Sequence, residues 1–132
     1  VMMGGIKDGV DAVKALALGA DAVAMGTSML IAGGCISCMQ CHVGNCVVGI
    51  ATQDPEHDAR FQRDCRAQGM HRFLEAVRWQ IAALTAALGH SDFRELCRHD
   101  LVALTPEAAD ITGLPCDPSY RGRTAERVSE VA

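Results

Sequence analysis

Residues 1–27 read VMMGGIKDGVDAVKALALGADAVAMGT, and their pattern decides the fold class. Val1-Met2-Met3 is a short apolar run ending at Gly4-Gly5, as the last half of a buried strand ends. From Asp8 to Leu18, apolar residues recur at Val10, Val13, Leu16 and Ala17. That is the spacing of one helix face, and the Ala and Leu content favours it. Gly19 stops the helix in the usual C-terminal manner. Asp21–Met25 is nearly all apolar, the composition of a parallel strand buried on both faces, and Gly26-Thr27 closes it. Two parallel strands with one crossover leave both sheet edges open and do not make a stable domain alone. The expected fold is α/β, the C-terminal portion of a TIM (β/α)8 barrel. A whole barrel takes roughly 250 residues, so a chain of 132 residues holds its last two strands.

Downstream the pattern turns helical. Asp58–Leu88 reads as one long helix with an apolar stripe at Met70, Leu74, Val77, Ile81, Leu84 and Leu88, a packing surface. Gly89 stops it, and Ser91 caps a shorter helix through Phe93, Leu96 and Cys97. Thr105-Pro106-Glu107 starts another, with proline in the first turn, and Gly113, Pro115 and Pro118 break the chain. The organisation expected is a barrel end with its cysteine loop over 1–55, a helical extension over 56–118 and a loose polar tail over 119–132. Cys65, at helical spacing from Phe61, reads as a small core residue, as do Cys97 and Cys116. His57, His71, His90 and His99 lack ligand spacing, and Arg60, Arg63 and Arg66 read as a solvated face.

Composition narrows the class. Apolar residues are 49% and aromatics 4%, so the core is aliphatic. A net charge of −4 gives no electrostatic basis for a nucleic-acid or anionic-membrane partner. No run approaches the ~20 apolar residues of a membrane span, and no basic segment precedes an apolar one at the N-terminus.

Two motifs carry chemistry. Gly4-Gly5 and Gly26-Thr27 end successive strands, where barrels commonly bind phosphate. Glycine admits backbone N–H groups close to an anion, Thr27 adds a hydroxyl donor, and a helix start adds its positive end. The same glycines also serve tight turns in other α/β proteins. The second motif is Cys35-x2-Cys38-x2-Cys41-x4-Cys46, four of seven cysteines within a dozen residues. Disulfide scaffolds spread their cysteines and belong to secreted domains. A tight cluster without an export signal reads as a metal site in a reducing, cytoplasmic compartment. Soft thiolates on one loop suit an iron–sulfur cluster. Zinc is the alternative, although structural zinc sites usually pair two separated C-x2-C units. His42 adjoins Cys41 as a further possible ligand.

Gly4–Thr27, Gly34-Cys35-Ile36, Cys41-His42, Cys46 and Gly49–Gln53 together resemble the FMN-binding synthase domain of glutamate synthases, the compact archaeal-type members above all. The resemblance is dense over 4–55, moderate to about 115 and absent beyond. It implies that Gly4, Gly5, Gly26 and Thr27 hold the FMN phosphate. Cys35, Cys41 and Cys46 match the family's C-x5-C-x4-C pattern, which implies a [3Fe–4S] cluster. Cys38 departs from that pattern as an extra thiol and would permit [4Fe–4S] instead. Val47 stands where larger members carry proline.

The reaction implied is reductive. A ferredoxin or NAD(P)H-dependent partner supplies electrons through the cluster to FMN. The flavin reduces 2-iminoglutarate, formed from 2-oxoglutarate and ammonia, to glutamate, with a glutaminase domain or subunit releasing the ammonia from glutamine. No catalytic residue is assigned, because the substrate-binding strands of that family lie earlier. The isolated chain is therefore expected to be incomplete and inactive. An N-methylglutamate-forming relative fits the same residues. A purine-nucleotide dehydrogenase explains the glycines but not the cysteines. A non-catalytic iron–sulfur or metal-binding module requires a self-contained fold around the cluster.

Overall fold

The computed structural model describes residues 1–120, so the reading of a loose tail beyond that point lies outside the described residues. The first unit is a strand–helix–strand: β1 (Met2–Met3), α1 (Gly9–Ala17) and β2 (Val23–Ala24), followed by α2 (Thr27–Ala32). The strands pair in parallel, Met2 with Val23 and Met3 with Ala24. Asp8 caps α1 by accepting the Asp11 N–H at 2.9 Å. Gly19, at φ +106°, makes the left-handed exit. The buried face of α1 runs through Gly9, Ala12, Val13, Ala15 and Ala17, whereas Val10 is exposed.

The second unit is helical: α3 (Pro55–Asp58), α4 (Arg63–Ala87) and α5 (Pro106–Thr112). One-turn 3-10 segments lie at Cys41–Val43, Phe93–Glu95, Arg98–Asp100 and Pro118–Tyr120. The helix expected over Asp58–Leu88 is present as α4 but starts later, at Arg63, and a separate one-turn helix, α3, precedes it. Asp54 and Pro55 start α3 as a capped turn, the Asp54 carboxylate accepting the Glu56 and His57 N–H groups. Arg60 N–H and Phe61 N–H then donate to the His57 and Asp58 carbonyls in tight turns that end it. Cys65 is exposed, not a core residue. Phe61 lies before α4 begins, so a four-residue offset from it has no helical meaning. Arg66 leaves the expected solvated face, being half-buried and donating to the Gly33 carbonyl at 3.2 Å.

The helix expected after Ser91 is two 3-10 turns. Asp92, not Ser91, caps the first, and Glu95 accepts the N–H groups of Ser91 and Asp92. Cys97 sits in extended backbone and is exposed. Thr105 caps α5 and Gly113 ends it at φ +68°, as the sequence predicts.

The two units share one core. Val13 and Ala17 of α1 meet Leu96, flanked by Leu16, Ile81, Leu84 and Leu101. α4 crosses α1 so closely that a Cβ on Gly9 would lie 2.6 Å from the Gln80 Cβ and 2.8 Å from the Val77 carbonyl oxygen. The Gly9 N–H donates to the Gln80 side chain at 2.8 Å. Of the α4 stripe, Val77 is buried, Met70, Ile81 and Leu84 are half-buried, and Leu74 and Leu88 are exposed. The strands are not covered on both faces either: Met3 is 75% exposed, and Val23 and Ala24 are half-buried. Beyond α4, Asp100 accepts from His90 at 2.9 Å and from the Cys97 N–H at 2.8 Å. No helix among the described residues is long and apolar enough to cross a membrane.

Gly9→Ala drives a methyl group into backbone of α4 and lowers unfolding stability by about 1–3 kcal/mol, measured by urea titration. The Cys97 N–H, and then His90, hold the Asp100 carboxyl below its usual range. Its contribution is present above the unfolded carboxyl value and disappears as pH falls through the depressed one. Asp100→Asn therefore flattens the acid limb of the stability–pH curve.

Candidate cofactor site

Both glycine turns emerge at the same end of the β1–β2 pair, because parallel strands place their C-terminal ends side by side. Between them lies a cleft of about 540 Å3 lined by Gly4, Gly5, Lys7, Gly26, Thr27 and Ser28 among others. Gly4 and Gly5 sit at φ +92° and +73°, a region that L side chains rarely adopt. A Cβ at Gly4, Gly5 or Gly26 would meet open space, so all three present bare backbone. Ser28 Oγ donates to the Ile6 carbonyl at 3.2 Å and ties the two turns together. The four residues expected around a phosphate are thus brought together.

Lys7 and Ser28 were missed as part of this cleft. Their signal was adjacency to each glycine turn. Lys7 Nζ pairs with Asp11 at 2.5 Å, and Asp11 also meets Lys14 at 3.5 Å. The Asp11 hydrogen bond and charge hold the Lys7 ammonium above its ordinary value and offset its charge. Bare N–H donors and the Thr27 hydroxyl, in a cleft that Lys7 also lines, fit a phosphate monoester such as that of FMN.

The cysteine loop begins where α2 ends. Gly34, at φ +89°, turns the chain, and the Cys35 N–H donates to the Leu30 carbonyl at 2.9 Å. Ser37 and Met39 adopt φ +55° and +58° on either side of Cys38. Such conformations in non-glycine residues cost about 1–2 kcal/mol each. Cys35 and Cys38 are half-buried, Cys41 and the neighbouring His42 are exposed, and Cys46 is 3% exposed.

Cys46 is the most buried member of the set, and neighbouring backbone N–H groups, that of Ala51 first, hold its thiol below the ordinary value against the opposing effect of burial. The Gly49 N–H donates to the Cys46 carbonyl at 3.0 Å and closes a tight turn. Gly49 permits that turn at φ +81°, where a Cβ would lie 2.5 Å from the His57 carbonyl oxygen. The Ser37 N–H donates to the Cys35 sulfur at 3.4 Å. Among the described residues no three His, Cys, Asp or Glu side chains converge as a preformed metal centre. Thiolate donors with N–H groups on sulfur nevertheless match what an iron–sulfur cluster requires.

Comparison with known proteins now bears on the whole arrangement. The family model for the conserved region in glutamate synthase matches residues 1–91, which include both glycine turns and all four clustered cysteines. The archaeal-type glutamate synthase [NADPH] of Thermotoga neapolitana is 42% identical over 89 residues, covering 67% of this chain and 18% of that protein. Its counterpart in Dehalococcoides mccartyi is 36% identical over 118 residues, or 86% of this chain and 24% of that protein. A glutamate synthase large subunit-like protein of Rhizobium meliloti is 34% identical over 131 residues, or 87% and 30%. No solved structure matches the chain. This chain belongs to the glutamate synthase family, and it spans under a third of the length of these relatives.

The turn that buries Cys46 is testable without any cofactor. Gly49→Ala displaces the 48–51 backbone, so alkylation of Cys46, mapped by mass spectrometry, accelerates about tenfold while that of the exposed Cys41 stays unchanged.

Proposed function

We propose that this chain is the cofactor-bearing C-terminal part of a glutamate synthase-like oxidoreductase of the cytoplasm, built on the end of a (β/α)8 barrel. The observation that carries the reading is the placement of its two cofactor motifs at opposite ends of α2. Gly26-Thr27 opens the helix and Gly33-Gly34-Cys35 closes it. At 1.5 Å per residue, its six residues separate the phosphate cradle from the start of the cysteine loop by about 9 Å, so one short helix carries both motifs.

In this reading the N–H groups of Gly4, Gly5 and Gly26, with Thr27, Ser28 and Lys7, bind and orient the FMN phosphate. Cys35, Cys41 and Cys46 ligate iron. When bound, the cluster supplies one-electron transfer and FMN supplies the hydride-transfer chemistry that converts 2-oxoglutarate and ammonia from glutamine to glutamate. The electrons come from a ferredoxin or NAD(P)H-dependent partner, the ammonia from a glutaminase domain or subunit.

The test is anaerobic reconstitution with iron and sulfide, followed by iron and sulfide assays and low-temperature EPR. Stoichiometric iron and sulfide are expected, lost on Cys46→Ser. An EPR signal in the oxidised protein that survives Cys38→Ser assigns three irons, and a signal only after reduction, lost in that variant, assigns four. Zinc without sulfide overturns the redox reading.

A further inference from the structure

Both ends of the cysteine loop come to rest on one pair of side chains outside it. At the near end, the Arg66 guanidinium donates to the Gly33 carbonyl at 3.2 Å. It also lies against Gly34 so closely that no Cβ fits there. The same guanidinium stacks over the Phe61 ring, 5.7 Å from its centroid. At the far end, Phe61 packs on Gly49, where a Cβ would come within 2.9 Å of the Phe61 Cβ. The Gly49 N–H in turn donates to the Cys46 carbonyl at 3.0 Å. A continuous series of contacts therefore runs Gly33–Gly34, Arg66, Phe61, Gly49, and joins the two ends of a loop that holds all four cysteines.

The helix that presents Arg66 is itself fixed against α2. A Cβ on Gly69 would lie 2.5 Å from the Ala32 carbonyl oxygen, and Met70 packs directly on Gly33. Arg66 thus projects from a rigid support into the base of the loop. Its chemistry suits the position. A planar guanidinium stacks on an aromatic face while its edge donates to a carbonyl, which an ammonium cannot do equally well.

We propose that Arg66, acting with Phe61, is a positioning residue for the iron–sulfur cluster. It clasps the two ends of the loop, fixing the span between Cys35 and Cys46, and places a positive charge beside Cys35. The inference rests on the reading of this loop as a cluster site, yet the clasp itself exists without metal. With the clasp open, the 46–49 turn loses its support and Cys46, now buried, becomes accessible. With the charge removed, the reduced, more negative form of the cluster is less stabilised, so its reduction potential falls.

The experiment compares wild type with Arg66→Gln, Arg66→Lys and, as a control, Arg72→Gln, whose side chain is exposed on the same helix. Cys46 alkylation is followed in the metal-free proteins, with Cys41 as internal reference. Loss of iron to a ferrous chelator and the reduction potential are followed after anaerobic reconstitution. Arg66→Gln is expected to label Cys46 and lose iron about tenfold faster than wild type, with a lowered potential. Arg66→Lys is expected to restore the potential but not retention, and Arg72→Gln to match wild type. Where Arg66→Gln loses helical circular dichroism, Arg66→Lys decides by the same labelling and retention. Wild-type labelling and retention in both Arg66 variants overturns the proposal. An unchanged potential in Arg66→Gln overturns its electrostatic part. If wild type itself takes up no iron and sulfide, the cluster reading fails, and Cys46 labelling still decides whether the clasp exists.

Discussion

The close crossing of α1 and α4 at Gly9 is the constraint from which the rest of the arrangement follows. With no Cβ at Gly9, the two helices approach until its N–H reaches the Gln80 side chain. That crossing fixes the direction of a 25-residue helix relative to the strand–helix–strand unit. The C-terminal half of α4 is thereby set over Val13 and Ala17, where it shares their core with Leu96. Its N-terminal half is carried to α2 and the cysteine loop, where Gly69 and Arg66 make their contacts. A helix anchored at both ends transmits its position along its length, so packing at Gly9 and the shape of the loop are mechanically linked.

The two candidate cofactor positions depend on opposite uses of glycine. In the cleft, Gly4, Gly5 and Gly26 face open space. Their role is to expose backbone donors, and nothing in the protein fills the volume. In the cysteine loop, Gly33, Gly34 and Gly49 are pressed against Met70, Arg66 and the 57–61 segment. There the missing side chain permits contact. One set leaves backbone bare and the other permits packing, and Gly26 and Gly33 bring the two uses to opposite ends of α2.

Much of this was legible in the sequence. The order of strand, glycine turn, helix, strand and glycine turn is in the structure, as are the caps at Thr105-Pro106 and the exit at Gly113. The glycine pairs met across one cleft because parallel pairing puts both strand ends on one side. What failed was periodicity at element boundaries. The Asp58–Leu88 helix is continuous only from Arg63, because α3 ends at Asp58 and the turns at Arg60–Phe61 intervene. That error carried Cys65 into a core it does not join and left Arg66 among solvated charges. Spacing locates a residue on a helix face but does not show that Gly34 sits opposite. The contact spans 32 positions in the chain, and single-sequence patterning is silent at that range.

The four clustered cysteines are alike in sequence and unlike in structure, and the difference orders their roles. Cys46 is buried, at the start of a turn closed by the Gly49 N–H on its carbonyl. Cys35 follows Gly33 and Gly34, which the Arg66 guanidinium contacts, and its sulfur accepts the Ser37 N–H. Cys38 is carried between two residues in the left-handed region, and Cys41 is exposed. Drawing the thiols to one centre requires the middle of the loop to move, since no three ligands converge among the described residues. The strained backbone at Ser37 and Met39 lies in that moving part, so relaxation there on ligation would favour binding. The ends are the part held by Arg66, Phe61 and Gly49. Under the proposed reading, cluster binding would be a local folding event of the segment between Cys35 and Cys46.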